Sequence, residues 1–221
     1  MAARIVPDGA IGRDEAIAAL EGGGLIAFPT DTVYGIGVAP ATPRGIERLF
    51  AAKGRPPDRA IVLLLADADQ AAAIATLTPA GVALAAAFWP GGLTIVLPRR
   101  ADGAFRLALT TDPAAAPLET IGLRVPDHPA PRAIARGLGA LPTTSANRSG
   151  EPEARDAAEI DSRLGAALDL ILDAGPAPGG SPSSVVDATT DSVTILRHGV
   201  VSERQIAQVL RDAGLPDPVG R

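Results

Sequence analysis

The sequence predicts a single α/β domain in which a twisted mixed sheet is flanked by helices. Strand-length apolar runs alternate with segments of helical period, and glycine, proline and capping residues punctuate the boundaries. No internal repeat or linker interrupts the 221 residues, so one domain over 1–221 is expected, with its motifs between about 10 and 200. Residues 13–21 read as a helix stopped by Gly22–Gly24, and 25–28 as a buried strand. Thr42-Pro43 reads as an N-cap with proline at N1, opening a helix that carries Ile46, Leu49 and Phe50 on one face. A strand at 61–65 follows, then helices opened by Asp67 and by Thr78-Pro79, the second bearing Val82, Leu84 and Phe88. Strands at 93–97 and 121–125 precede a helix near 130–138 and a short strand running into Thr143-Thr144-Ser145. Later strands fall at 168–172, 184–187 and 193–196. Ser202 with Gln205 fits a capping box for a last helix over 202–213, ended by Gly214, and the tail 215–221 is expected to fray.

Composition narrows the function classes. With 20 basic against 25 acidic side chains, the formal net charge is -5, which argues against tight sequence-independent binding of a nucleic-acid backbone. There is no cysteine, so a thiolate metal site and a disulfide framework are both excluded. His128 and His198 are too scattered to suggest zinc, so no protein-held metal is expected. The start lacks the apolar core of a signal peptide and no apolar run is long enough to cross a bilayer. A cytoplasmic domain without membrane contact is the expectation. One imbalance is informative: 19 arginines accompany a single lysine, Lys53, and there is one asparagine, Asn147, and one tyrosine, Tyr34. A coding bias that drains these residues leaves them where only their chemistry serves, or by chance, and all three fall inside the motifs below.

The segment Phe28-Pro29-Thr30-Asp31-Thr32-Val33-Tyr34-Gly35-Ile36-Gly37 places hydroxyls and glycines directly after a strand, where a loop can approach a ligand closely. It is neither a Walker loop nor a dinucleotide fingerprint, and taken alone it reads first as a turn-rich connection. Lys53-Gly54-Arg55-Pro56-Pro57 sets two cations one residue apart on a proline-stiffened, strand-like segment, an arrangement suited to a polyanion. Its plain alternative is a solvated basic helix end. Leu141-Pro142-Thr143-Thr144-Ser145-Ala146-Asn147 offers three hydroxyls and an amide able to read a base edge; a serine nucleophile there lacks a histidine base. Ser183-Ser184-Val185-Val186-Asp187 and Leu196-Arg197-His198-Gly199 flank the final strands. Several cations and many hydroxyls, with no proton-transfer centre, fit the positioning and electrostatic stabilisation of a nucleotide reaction.

In order and spacing, PTDTVYGIG, KGRP, FWPGGLT at 88–94, IGLRVPDHP at 121–129, TSAN with SG after it, SSVVD and LRHG resemble the YrdC-like family of threonylcarbamoyl-AMP synthases. The resemblance implies a YrdC-like fold with a large concave cavity. It implies a nucleotidyltransferase that joins L-threonine, bicarbonate or CO2 and ATP into threonylcarbamoyl-AMP and pyrophosphate, with Mg2+, for threonylcarbamoyl modification of a tRNA adenosine. It assigns Thr32, Arg124, Thr143 and Ser183 to threonine. Arg55, Thr120, Ser145, Asn147 and Arg197 fall to ATP, with Lys53 beside the phosphates; Lys53 and Arg55 are the catalytic candidates. Partner proteins that pass the group to tRNA are implied, with only indirect or weak contact to tRNA itself. Three departures stand out. Leu64 occupies the place of a family histidine, Gly92 that of a proline, and the chain stops soon after Arg197, which suggests the short, partner-dependent form. An RNA-binding or ribosome-assembly module on the same fold is the alternative, disfavoured by net acidity and by few aromatic groups for stacking. A carbamoyl phosphate-dependent enzyme is a second rival, without the extra segments such proteins carry.

Overall fold

The computed structural model describes residues 3–54, 61–100, 119–178 and 180–220. Its first half runs β1 (Arg4–Pro7), α1 (Ala10–Glu21), β2 (Leu25–Phe28), β3 (Gly35–Val38), α2 (Gly45–Lys53) and β4 (Val62–Leu64). A 3-10 turn leads into α3 (Ala71–Ile74), then α4 (Pro79–Phe88), β5 (Leu93–Pro98), β6 (Thr120–Arg124), α5 (Pro129–Leu138) and β7 (Leu141–Ser145). The remainder is α6 (Ala157–Leu164), β8 (Leu170–Asp173), β9 (Ser184–Asp187), β10 (Thr194–Arg197), α7 (Glu203–Asp212) and β11 (Val219–Gly220). The described strands form one mixed sheet in the order β1-β8-β2-β3-β7-β4-β6-β5-β9-β10-β11, as expected for an α/β domain.

Alternation along each strand sorts the side chains between two faces. On one face Leu25, Ala27, Ile36, Leu63, Leu93, Ile95, Ile121 and Leu123 join residues of α2, α4, α6 and α7 in the larger core. On the other, α1 and α5 lay Ala16, Leu20, Ala130 and Ile134 over Ile26, Phe28, Leu64, Leu141 and Leu170. These two helices cover only part of that face. Beyond them the strands turn small or polar residues outward: Gly35 opposite Ser145, Gly37 opposite Thr143, and Val62 opposite both Thr143 and Gly122. Gly35 and Gly37 are required there because an added Cβ would press on the Phe28 ring. This uncovered middle of the sheet is the floor of the candidate site.

Local chemistry explains where the chain departs from expectation. Thr42 does not cap α2; its carbonyl takes Gly45 N at 3.1 Å in a turn, and Arg44, at φ 56, stands at the N-cap. Asp67 heads a 3-10 turn rather than a helix with a side-chain cap, since its carboxylate is held by Arg132 and Arg136. Thr78 does cap α4, accepting Gly81 N at 3.0 Å, and Ser202 completes the capping box of α7. α6, unforeseen, is capped by Asp156, which accepts Glu159 N at 2.9 Å. β3 lies where the glycine-rich loop was expected to continue. The tail, expected to fray, instead pairs β11 in parallel with β10, while Arg211 holds Asp217 at 2.9 Å.

Candidate functional site

A cleft of about 160 Å³ opens over the uncovered sheet, between the β2–β3 loop, the ends of β4, β6 and β7, and the segment before β9. Arg124, at the C-terminal end of β6, lies 5% exposed at its base. Three acceptors fix its guanidinium: Nε donates to Gly91 O at 2.9 Å, Nη1 to Thr32 Oγ1 at 3.0 Å, and Nη2 to Asp31 Oδ1 at 2.6 Å. Burial draws the Arg124 pKa down, and the Asp31 carboxylate opposes that pull. The loop supplying these acceptors is itself tied: Thr30 Oγ1 donates to Val33 O at 2.6 Å and accepts Thr32 N at 3.1 Å. Thr32 therefore serves the guanidinium, while Thr30, Thr94, Thr143 and Ser183 line the cleft, the hydroxyl of Thr143 donating to Leu141 O at 3.0 Å.

A second cluster surrounds Lys53, the last residue of α2. At 4% exposure it is no solvated helix end. Its ammonium donates to Ser145 O at 2.6 Å, Asn147 Oδ1 at 3.0 Å and Ser145 Oγ at 3.3 Å. Asn147 accepts from Lys53 and Ser145 and donates Nδ2 to Glu151 O at 2.6 Å, so its amide orients the lysine and is not directed at a base edge. Lys53 also belongs to a helix rather than to the strand-like segment the sequence suggested. The αL turn at Gly54, φ 59, then redirects the chain.

Arg197 lines the same cleft. Its Nε and Nη2 donate to Ser183 O at 3.0 and 2.9 Å, and Nη2 reaches Ser183 Oγ at 3.0 Å, which in turn meets Thr94 Oγ1 at 2.9 Å. Ser183 and Arg197, which the resemblance gives to different ligands, are thus hydrogen-bonded to each other. Gly199 permits it, because a Cβ there would overlap the Pro182–Ser184 backbone. Thr120 lies at the far end of β6, exposed and roughly 13 Å along the strand from Arg124, and it does not line the cleft. Arg55 lies outside the described residues. Leu64, in place of an imidazole, lines the floor.

Sequence reasoning missed four contributors. Thr30 and Asp31 stood inside a motif already noted, and Thr94 alternates with the core residues Leu93 and Ile95. Glu153 carried no signal: its carboxyl group lies within reach of Ser145 and near Lys53 and Arg197, and burial pushes its pKa up against their opposing pull. Tyr34, the lone tyrosine, borders the cleft, and its hydroxyl is tied to the turn after β8. Its hydroxyl donates to Gly175 O at 2.7 Å and accepts Ala174 N at 3.0 Å, with burial pushing its pKa up to about 12. Among the described residues no three His, Asp or Glu side chains assemble a metal cage, and no helix is long and apolar enough to cross a membrane.

The family model for Sua5, YciO and YrdC proteins, described as "Telomere recombination", matches residues 18–199. A threonylcarbamoyl-AMP synthase of Bacillus subtilis (strain 168) is 34% identical over 209 residues, 92% of this chain and 59% of that protein. A putative threonylcarbamoyl-AMP synthase of Mycobacterium tuberculosis (strain ATCC 25618 / H37Rv) is 36% identical over 196 residues, 88% of this chain and 87% of the relative. The crystal structure of P. abyssi Sua5 complexed with L-threonine superposes with a TM-score of 0.86 at 27% identity, over 100% of this chain and 63% of that one. The shared part is therefore nearly the whole chain here and about three fifths of the longer relatives.

Proposed function

The chain belongs to the Sua5/YciO/YrdC family, and from that premise we propose that it is a threonylcarbamoyl-AMP synthase acting on L-threonine, bicarbonate or CO2, and ATP. The observation that carries this reading is Arg124, a buried guanidinium held on three sides beneath a hydroxyl-lined cleft. A preorganised planar fork of this kind suits a carboxylate, and Thr143, Ser183 and Thr94 lie where a small polar amino acid would need partners. The names of the relatives and the L-threonine bound by P. abyssi Sua5 support the same assignment. Threonine would enter with its carboxylate on Arg124 and its hydroxyl toward these side chains. Lys53 and Arg197 would face the triphosphate from the other side, where cationic charge offsets the anion.

In this scheme the threonine amine adds to the carbon of CO2 and loses a proton, or adds to bicarbonate with loss of water, and either route gives a carbamate. A carbamate oxygen then bonds to the α-phosphorus of ATP, the bond to the bridging oxygen breaks, and pyrophosphate leaves. The chain contributes position and charge, with no covalent intermediate of its own. Mg2+ would accompany ATP and neutralise phosphate charge. The adenylate is labile, so release to a partner that modifies tRNA completes the role. The test is direct: the purified protein is incubated with ATP, MgCl2, fresh bicarbonate and L-threonine, and pyrophosphate and a threonine-containing adenylate are measured. Pyrophosphate release that depends on both threonine and bicarbonate is expected. Release that ignores either one, or no release, refutes the assignment.

A further inference from the structure

The least satisfied polar atom near the cleft is Glu153 Oε2. It is shielded from solvent and has no hydrogen-bond partner. A carboxylate oxygen left so is costly, so its retention calls for a reason. Its setting supplies one. The stretch leading into Glu153 is pinned twice to the lysine cluster: Ser149 N donates to Lys53 O at 3.0 Å, and Asn147 Nδ2 to Glu151 O at 2.6 Å. The carboxyl group lies close to Lys53, Ser145 and Arg197, on the side of the cleft assigned above to the triphosphate. Those cations already serve backbone and amide oxygens, Lys53 on Ser145 and Asn147, and Arg197 on Ser183. A bare carboxylate beside phosphate oxygens would repel them. A divalent cation between the two resolves the conflict, and Mg2+ at nucleotide sites takes one or two carboxylates plus phosphate oxygens and water, not a cage of protein ligands. That matches a site with one acidic side chain and no cluster of three among the described residues.

We propose that Glu153 is the carboxylate through which this chain holds the divalent cation of a metal–triphosphate substrate. The assignment rests on the ATP reading above. It makes the acid a sensor of the metal: ATP is welcome with its cation and disfavoured without it. Neither Lys53 nor Arg197 can impose that preference, since both attract the triphosphate in either form.

The test measures binding without turnover. ATP is titrated calorimetrically into the wild-type protein, once with excess MgCl2 and once with EDTA, and the same is done with Glu153→Gln and Glu153→Ser. Thermal melts accompany each protein, and the serine variant stands in should the glutamine variant not fold. In the wild type, Mg2+ is expected to tighten ATP binding on the order of tenfold or more, within the usual range of coupling between ligands. Both variants should lose most of that ratio, binding MgATP more weakly and metal-free ATP as well or better. Equal weakening of both forms marks Glu153 as merely structural and overturns the proposal. So does an unchanged ratio in folded variants. A wild-type protein that binds neither form overturns the ATP reading and this proposal with it, whereas ATP binding with an unaltered ratio overturns only the metal assignment.

Discussion

Removing the charge of Asp31 should expose how much of the site is held by one ion pair. Asp31 Oδ1 meets Arg124 Nη2 at 2.6 Å, and the two side chains are only 15% and 6% exposed. Deleting one partner of a buried pair typically costs about 3–5 kcal/mol, because the remaining charge stays desolvated. Asp31→Asn preserves shape and one acceptor, and Arg124 keeps Thr32 and Gly91, so the lower end applies. For a chain of this size about 3 kcal/mol corresponds to a fall in Tm of roughly 6–12 °C. The assay is thermal and urea denaturation of wild type, Asp31→Asn, Arg124→Met and the double variant. The double variant should recover part of the loss, since it carries no orphaned guanidinium. L-threonine, whose carboxylate would stand in for Asp31, should raise the Tm of Asp31→Asn more than that of wild type. A fall below about 2 °C, less than about 1 kcal/mol, would refute the view that Arg124 depends on Asp31.

Three further outcomes follow from the same geometry. Gly92→Ala should destabilise the loop that orients Arg124, because its Cβ would overlap Val200 Cγ2, and adding Val200→Ala should restore both Tm and the KM for threonine; failure of the second change to rescue sinks the contact. Lys53→Arg places a broader head in a closed space, so a loss of about 1–3 kcal/mol in urea melts is expected. The same protein should release pyrophosphate roughly 10²–10³-fold more slowly, and unchanged values for both would make Lys53 an ordinary cation. His128 caps α5 by accepting Ala130 N at 3.2 Å through Nδ1, and burial holds its pKa below the ordinary value, with Arg13 adding to the fall and Asp8 opposing it. The unfolded chain therefore binds the proton more readily, so this contribution is complete above about pH 6.5 and is lost as pH falls from there through the folded value. His128→Asn, which keeps a cap without titrating, should flatten the stability profile from pH 7 to 5; an unchanged slope would assign it to other groups.

Much of the fold was legible from local chemistry. Strands such as Leu25–Phe28 and Ser184–Asp187 are apolar runs bounded by glycine, proline or serine, and Thr78 and Ser202 cap their helices through hydrogen bonds spanning three residues. The motif residues Lys53, Arg124, Ser145, Asn147, Ser183 and Arg197 were likewise marked by residue type and order. β1, β3 and β11 were not, since a short strand gains its reason only from the neighbour it pairs with: β1 from β8, β3 from β2 and β7, β11 from β10. Tertiary structure also decided what each marked residue does. Lys53 became buried because β7 brings Ser145 O to within 2.6 Å of it, across 92 positions of chain. Asn147 turned inward to that lysine, and Tyr34 to the turn after β8. Glu153, anonymous in sequence, acquired its interest from three neighbours brought in by α2, β7 and β10. The sequence by itself determined the residue types and the local periods that make strands, helices and caps, because those depend on interactions a few residues apart. Which charge is buried, which residue lines the cleft and which carboxylate oxygen goes without a partner depend on contacts between distant segments, and only the folded chain sets them.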